Sequence, residues 1–400
     1  MPSVLSLFLA LLPVALAVPT VNKVQTANTV QGKWIAELND NVAIESVMNT
    51  IKAVTGIKTK HEYSTDSWKG FSFEGSEAVV DILSTFGFLK SVEPDTKVTI
   101  QAPVSSPNPS IQVKRALTTQ SGAIYGLARI SHRSKGQSGY IYDSGAGSGS
   151  YIYVIDTGIN SAHQAFGGRA IQGANFVDGE SIADGNGHGT HCSGTTASST
   201  YGVAKKATVI GVKVLDSQGS GYNSDILAGI NWVINDAKSR GGVGRSVISM
   251  SLGGGYSDQT NSAVRSATNA GIFAAVAAGN ENQDAGNTSP ASESSACTVG
   301  AIDSNDNRAS FSNYGSFLDI FAPGVNILST WIGSTTATNT ISGTSMATPH
   351  IAGLAAYLIA LEGPRSPSAL CQRIQSLSTK NQIPNPNGSV NYIAYNGNGA

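Results

Sequence analysis

Apolar residues follow three different rhythms along this chain. From Val4 to Leu16 they form one apolar run that ends in Ala15-Leu16-Ala17, the small-x-small pattern of a signal peptidase site. The run is too short to span a bilayer, so residues 1–17 are expected to be a cleaved signal peptide, cut after Ala17, and no later segment is expected to reach membrane length. The spacing then predicts a strand over Lys33 to Leu38 and a helix through Ile44, Val47, Met48 and Ile51, which follow the i, i+3, i+4, i+7 rule, with Asp40 as its cap and Gly56 as its stop. A hairpin is expected around Tyr63 to Glu74, then a second helix through Val79, Val80, Leu83 and Phe86, closed at Gly87, and a last strand near Val98. That order, βαββαβ, is the order of a ferredoxin-like α+β domain.

Past residue 116 the rhythm changes to short, almost unbroken apolar runs, at Tyr151 to Ile155, Val209 to Val214, Val247 to Met250 and Ile272 to Ala277, separated by helical stretches. Parallel strands buried on both faces have this pattern, so the fold class is α/β, with a mostly parallel sheet, helices on both of its faces and active residues at the carboxyl ends of its strands. Composition divides the chain at the same place. Residues 18–115 hold 20 of the 51 charged side chains but 5 of the 45 glycines and no cysteine, so they form a separate domain. The stretch 101–115, with Pro103, Pro107 and Pro109 and ending in Lys114-Arg115, reads as an exposed, protease-accessible linker, which makes Ala116 the expected mature N-terminus.

A net charge of −1 leaves no electrostatic footprint for nucleic acid or an anionic membrane, so the partner expected is a small or peptide-like molecule. Three segments carry candidate chemistry. Val154-Ile155-Asp156-Thr157-Gly158 sets a carboxylate where an apolar strand stops. Gly185-Asn186-Gly187-His188-Gly189 places a histidine among glycines before a helix of small residues. Ile341-Ser342-Gly343-Thr344-Ser345-Met346-Ala347 sets a serine at the start of an apolar helix that reaches about Leu361. Pro349 has no N–H, so the Ser345 carbonyl loses its i+4 partner, and the helix N-terminus offers positive potential where an oxyanion would form. Each segment also has a plainer reading, as a turn, a core histidine and an N-cap. Zinc held by His188, His191 and Cys192 is disfavoured, because the customary spacings and a clear third and fourth donor are lacking.

Taken together in the order Asp, His, Ser, the three segments resemble the catalytic blocks of the subtilisin superfamily, most closely its fungal proteinase K-type branch. The similarity covers residues 120–400 and includes Tyr201 to Lys206 and Ser310-Phe311-Ser312-Asn313-Tyr314-Gly315. The other common serine-hydrolase layout needs Gly-x-Ser-x-Gly and a different chain order, so an esterase or lipase of that kind is disfavoured. Residues 18–115 resemble the subtilase propeptide, a folding helper and intramolecular inhibitor.

The resemblance implies that Ser345 is a nucleophile, His188 its general base and Asp156 the group that orients His188. It implies Asn280, in Ala278-Gly279-Asn280, as an oxyanion donor beside the Ser345 N–H. Ser251-Leu252-Gly253 and Gly219-Ser220-Gly221 become the two edges that bind a polypeptide as an added strand, with Ala278 and Gly279 beside them. Tyr222-Asn223 departs from the family pattern of glutamine then tyrosine. Three cysteines allow three single pairings, and the resemblance selects Cys297 with Cys371, leaving Cys192 as a buried thiol. No cofactor is implied for catalysis. A structural calcium ion is implied at Ser294, Ala296 and Asp319. Asn287 and Asn387 stand in glycosylation acceptor patterns.

The activity implied is that of a secreted, monomeric endopeptidase of broad specificity, cutting proteins after apolar or aromatic residues. An inactive binding protein on the same scaffold would lack one of Asp156, His188, Ser345 or Asn280, and none is missing. A narrow processing enzyme would need acids along its channel, and Gly219 to Asn223 and Ser251 to Tyr256 contain none.

Overall fold

The computed structural model describes residues 19–100 and 117–400. The apolar run of residues 1–17, the 101–115 linker with Lys114-Arg115, and Ala116 lie outside the described residues.

The first domain runs through strand Thr29–Leu38, helix Ile44–Thr55, strands Thr59–Ser64 and Lys69–Glu74, helix Glu77–Ser84 and strand Leu89–Ile100, as its apolar spacing predicts. Period-two alternation along the first strand divides its side chains between two cores. Trp34, Ala36 and Leu38 pack with Val47, Met48, Ile51, Val80 and Leu83 inside the domain, whereas Ile35 joins Tyr63 and Trp68 in a core shared with the helices of the large domain. Gly56 closes the first helix with φ +67°, a backbone that favours glycine, and its N–H returns to the Lys52 carbonyl. Asp40 does not cap that helix. A turn from Asn39 to Val42 intervenes, the N-cap is Ala43, and the Asp40 carbonyl instead accepts from Lys69 Nζ. The second helix stops at Ser84, short of Phe86, whose ring stacks on Phe88 at 5.1 Å.

The large domain is built on a nine-stranded sheet in the spatial order Thr379–Lys380, Tyr392–Ile393, Ile320–Pro323, Cys297–Ile302, Phe273–Ala277, Ser246–Met250, Tyr151–Asp156, Thr208–Lys213 and Ala170–Asn175. All neighbours pair in parallel except Thr379–Lys380, which runs antiparallel at the edge. Helices His188–Ala197 and Thr344–Glu362 cover one face, and helices Asn223–Ser239 and Asp258–Asn269 cover the other. Each face is sealed by its own apolar core, which explains why the central strands are apolar at almost every position.

The Thr344–Glu362 helix corrects one expectation. It is long and apolar enough to cross a membrane, but 89% of that window is buried, so its apolar surface serves the protein core. Cys297, at the start of an inner strand, is disulfide-bonded to Cys371 in helix Pro367–Leu377, with their Cα atoms 5.9 Å apart, while Cys192 is a free, buried thiol.

Candidate active site

Asp156 is the last residue of strand Tyr151–Asp156, and His188 is the first of helix His188–Ala197. The Gly187 backbone has φ +106°, and a Cβ there would lie 2.4 Å from the Trp331 ring, so only glycine lets the chain enter this helix. The His188 Nδ1 atom lies 2.8 Å from Asp156 Oδ1 and 3.0 Å from Oδ2, with both side chains buried. Since the carboxylate can only accept, Nδ1 carries the proton and Nε2 is the basic atom. Burial opposes a charge on the ring, but the Asp156 charge and hydrogen bond outweigh it and hold the imidazole well above its usual range. A thiolate at Cys192 would act in the same direction; burial, however, raises the Cys192 thiol, which is therefore neutral near pH 7.

Ser345 is the second residue of helix Thr344–Glu362. Its carbonyl, which Pro349 deprives of an i+4 donor, accepts from Ser251 Oγ at 2.8 Å and from Cys192 Sγ at 3.5 Å. Cys192 also lies 3.9 Å from His188 Nδ1, so this one small side chain touches both the serine and the histidine residue. Ser345 Oγ donates to the Ser251 carbonyl at 3.0 Å, and among the described residues His188 Nε2 has no hydrogen-bond partner. The hydroxyl thus donates to the Ser251 carbonyl, and hydrogen bonds of a catalytic serine tighten toward its base when substrate binds.

Asn280 follows strand Phe273–Ala277. Its Oδ1 accepts from Thr344 N at 2.9 Å and Thr344 Oγ1 at 2.8 Å, which fixes the other end of the amide as the donor. The loop is braced by Asn313, whose Nδ2 donates to the Ala278 carbonyl and to Glu281 Oε2, while its Oδ1 accepts from the N–H groups of Glu281 and Gln283. A Cβ on Gly279 would lie 2.2 Å from Asn313 Nδ2, so this brace also dictates the glycine. The site can thus hold a nucleophilic hydroxyl, an oriented base and a neutral donor aimed at developing negative charge, the set that acyl transfer needs.

The two edges expected to bind peptide face each other as strands Ser220–Tyr222 and Leu252–Gly255. Lying between them is the end of the first domain's strand Leu89–Ile100. Thr99 stands opposite both Ser220 and Gly253, Val98 opposite Gly221, and Ile100 opposite Leu252, all antiparallel, and Ile100 N donates to the Gly219 carbonyl at 2.9 Å. Val98 is buried in the same core as Leu252 and Ile226. Farther along this strand, Asp95 accepts from Ser224 N and Ser224 Oγ near the start of helix Asn223–Ser239. Glu93 accepts from Ser257 Oγ at the N-cap of helix Asp258–Asn269. Carboxylates at helix N-termini complement the orphan N–H groups and the dipole there.

Acids do line this region, contrary to the local reading of the edges. Asp178, Glu180, Asp216 and Asp225 gather beside Ser220–Tyr222, with Lys33, Lys60 and Lys97 of the first domain among them. Lys60 Nζ lies 2.8 Å from Asp225 and 3.2 Å from Asp178. Elsewhere, His191 turns Nε2 to the Ile327 carbonyl at 2.9 Å, so it does not converge with His188 and Cys192 on one ion. Asp319 receives Thr298 N on Oδ2 and Gln375 Nε2 on Oδ1, and burial pushes its carboxyl up to about 6. Ala296 is buried and Ser294 exposed, as are Asn287 and Asn387.

Comparison with known proteins agrees with this geometry. Residues 147–392 match the model of the subtilase family. The chain belongs to that family. It is 48% identical over 98% of its length to the cuticle-degrading protease of Metarhizium anisopliae, covering 99% of that protein, and 45% identical over 98% to proteinase R of Parengyodontium album, covering 98%. The structure of a cold-adapted subtilisin-like serine proteinase superposes with TM-score 0.66 at 44% identity, over 69% of this chain and 99% of that one. This subtilase is accordingly a serine endopeptidase of the proteinase K-like branch.

Reading the sequence did not single out Asn313 within its motif, nor Asp184, Thr157 and Lys213. Lys213 is a fully buried cation whose Nζ donates to the Thr157 and Leu215 carbonyls and pairs with Glu180 at 3.0 Å. A charged residue closing an otherwise apolar strand was the available signal.

Proposed function

We propose that this subtilase is a secreted endopeptidase of broad specificity, made as a precursor that its own residues 18–115 inhibit, with Asp156, His188 and Ser345 as the triad and Asn280 as the oxyanion donor. Ser345 Oγ attacks the scissile carbonyl, His188 Nε2 takes its proton and returns it to the leaving amine, and Asp156 steadies the imidazolium. The observation that carries the precursor reading is the pairing of Val98 to Ile100 with both glycine-rich edges, because a strand lying there denies the same hydrogen bonds to any substrate. Main-chain pairing of this kind accepts many sequences. The apolar surroundings of Val98 favour apolar side chains nearby, and cleavage after apolar or aromatic residues is part of the reading.

A signal peptide ending at Ala17, release at Ala116 and glycans on the exposed Asn287 and Asn387 complete the secretory picture. A calcium ion held by the Ser294 and Ala296 carbonyls and Asp319 fits the donor chemistry, since Asp319 is a half-buried carboxylate that accepts from neutral N–H groups of Thr298 and Gln375. The ion would contribute stability and take no part in the reaction.

The test is to collect the protein from culture medium, sequence its N-terminus and follow casein hydrolysis. The expected outcome is a mature chain beginning at Ala116 that degrades casein, with activity appearing sooner when Val98 and Ile100 are both replaced by Asp if the strand inhibits, and a lower yield of folded enzyme if it chiefly assists folding. Secreted material that stays full length and inactive would contradict the precursor reading.

A further inference from the structure

The three catalytic side chains sit at the end of one strand and the starts of two helices, and one carboxylate outside the triad ties the turns around the first two together. Asp184 is buried, and its two oxygens accept five hydrogen bonds. Oδ1 takes Thr157 Oγ1 at 2.8 Å, Asn186 N at 3.0 Å and Gly187 N at 2.8 Å. Oδ2 takes Thr190 N at 2.9 Å and Thr190 Oγ1 at 2.6 Å. The donors fall into two groups. Thr157 directly follows Asp156, whereas Asn186, Gly187 and Thr190 surround His188. Thr157 Oγ1, while donating to Asp184, accepts from Gly189 N at 2.9 Å, and Thr190 Oγ1 accepts from Asn160 N at 2.9 Å. The two turns are therefore cross-linked three times within a few residues of the Asp156–His188 hydrogen bond.

The backbones at this junction have no slack. A Cβ on Gly158 would lie 3.0 Å from Asp184 N, and one on Gly189 would lie 2.3 Å from the Gly158 carbonyl. A carboxylate can accept this many N–H and O–H donors at once, which neither an amide nor a hydroxyl can do. We infer that Asp184 is a positioning residue for catalysis: by holding the Thr157 turn against the entry to the His188 helix, it sets the distance and angle at which Asp156 meets His188 Nδ1.

An Asp184→Asn substitution keeps the volume but turns one acceptor into a donor, which then faces either Thr190 N–H and O–H or the N–H groups of Asn186 and Gly187. Thr157→Val removes only the hydroxyl through which the carboxylate reaches the Asp156 turn, and Thr157→Ser keeps it. The inference rests on the triad reading, so labelling of Ser345 by a fluorophosphonate in the unaltered enzyme is established first, and its failure would dispose of that reading alone. Matured variants, with active sites titrated by the same reagent, are then compared for kcat, KM and the acid limb of kcat/KM.

For D184N and T157V the expected kcat is about 10²-fold lower, the loss typical of a displacement near 1 Å in an active site. KM is expected to stay within about twofold, as befits a contact that matters to the chemical step. The acid limb moves to lower pH, because an imidazolium less closely paired with Asp156 loses its proton more readily. T157S stays within about threefold of the unaltered enzyme, and the D184N/T157V double variant is no worse than the weaker single one, since both break one connection. Should D184N fail to fold, T157V carries the test. A folded T157V enzyme whose acid limb is unmoved, whatever its kcat, or a double variant whose losses multiply, would overturn the inference.

Discussion

Ser251 and Ser345 exchange two hydrogen bonds: Ser251 Oγ donates to the Ser345 carbonyl at 2.8 Å, and Ser345 Oγ donates to the Ser251 carbonyl at 3.0 Å. The first exists because Pro349 cannot supply an N–H to the Ser345 carbonyl, and it fastens the start of helix Thr344–Glu362 to Ser251, beside strand Leu252–Gly255. Replacing Ser251 by Ala removes the hydroxyl donor from that buried carbonyl. The expected cost is about 1–3 kcal/mol of stability, read from the denaturant midpoint of the matured enzyme.

On the proposed precursor reading, Glu93 is expected to make release of the first domain depend on pH. Burial, aided by the nearby Asp258, raises its carboxyl to about 7 in the docked precursor, although Ser257 pulls the other way. A carboxyl whose pKa is higher when docked favours docking in its protonated form, so the contact weakens as pH rises from the free value toward 7 and stays weak above it. Asp95, on the same strand, is also raised by burial, and Lys60 and His61 lie against Asp225 nearby. The informative quantity is therefore a ratio. The lag before activity appears in Glu93→Gln precursor, divided by the lag in unaltered precursor, is expected to be near one at pH 5 and severalfold larger at pH 8. A ratio that does not change with pH would remove Glu93 from this role.

Removing calcium tests the Asp319 site through stability. Chelation is expected to lower Tm at pH 8 and to have a much smaller effect at pH 5, because Asp319 titrates at about 6 and its protonated form is a poor ligand. Asp319→Asn should abolish the response. A Tm indifferent to chelator at both pH values would exclude an ion there.

Asn280→Ala should lower kcat and leave KM nearly unchanged. Loss of such a donor in subtilisin itself costs about 10² to 10³ in kcat, and the same range is expected here because Thr344 already orients the amide in the absence of substrate.

What the sequence made legible follows from locality. Strand Tyr151–Asp156 announces itself by five apolar residues in succession and a carboxylate where they stop, and helix Ile44–Thr55 by its i, i+3, i+4 spacing. Ile35 misleads by the same logic: alternation assigns it to the outer face of its strand, but that face is buried against the large domain. Asp184 and Asn313 were silent because their partners are mostly backbone N–H and C=O groups, which every residue type provides. The acids near Ser220–Tyr222 fall just outside the Gly219–Asn223 window, where Asp216 and Asp225 flank it, or come from the separate stretch that holds Asp178 and Glu180. The pairing of Cys297 with Cys371 could not be chosen by counting cysteines; it came from resemblance, and the structure brings the two together.

The most direct measurement is the site of covalent capture in the matured enzyme. A fluorophosphonate should modify Ser345 alone, as located by peptide mass, with casein hydrolysis lost in proportion, and His188→Ala should slow the modification by orders of magnitude. Folded, matured protein that hydrolyses casein while Ser345 stays unmodified, or that is labelled equally fast without His188, would contradict the account.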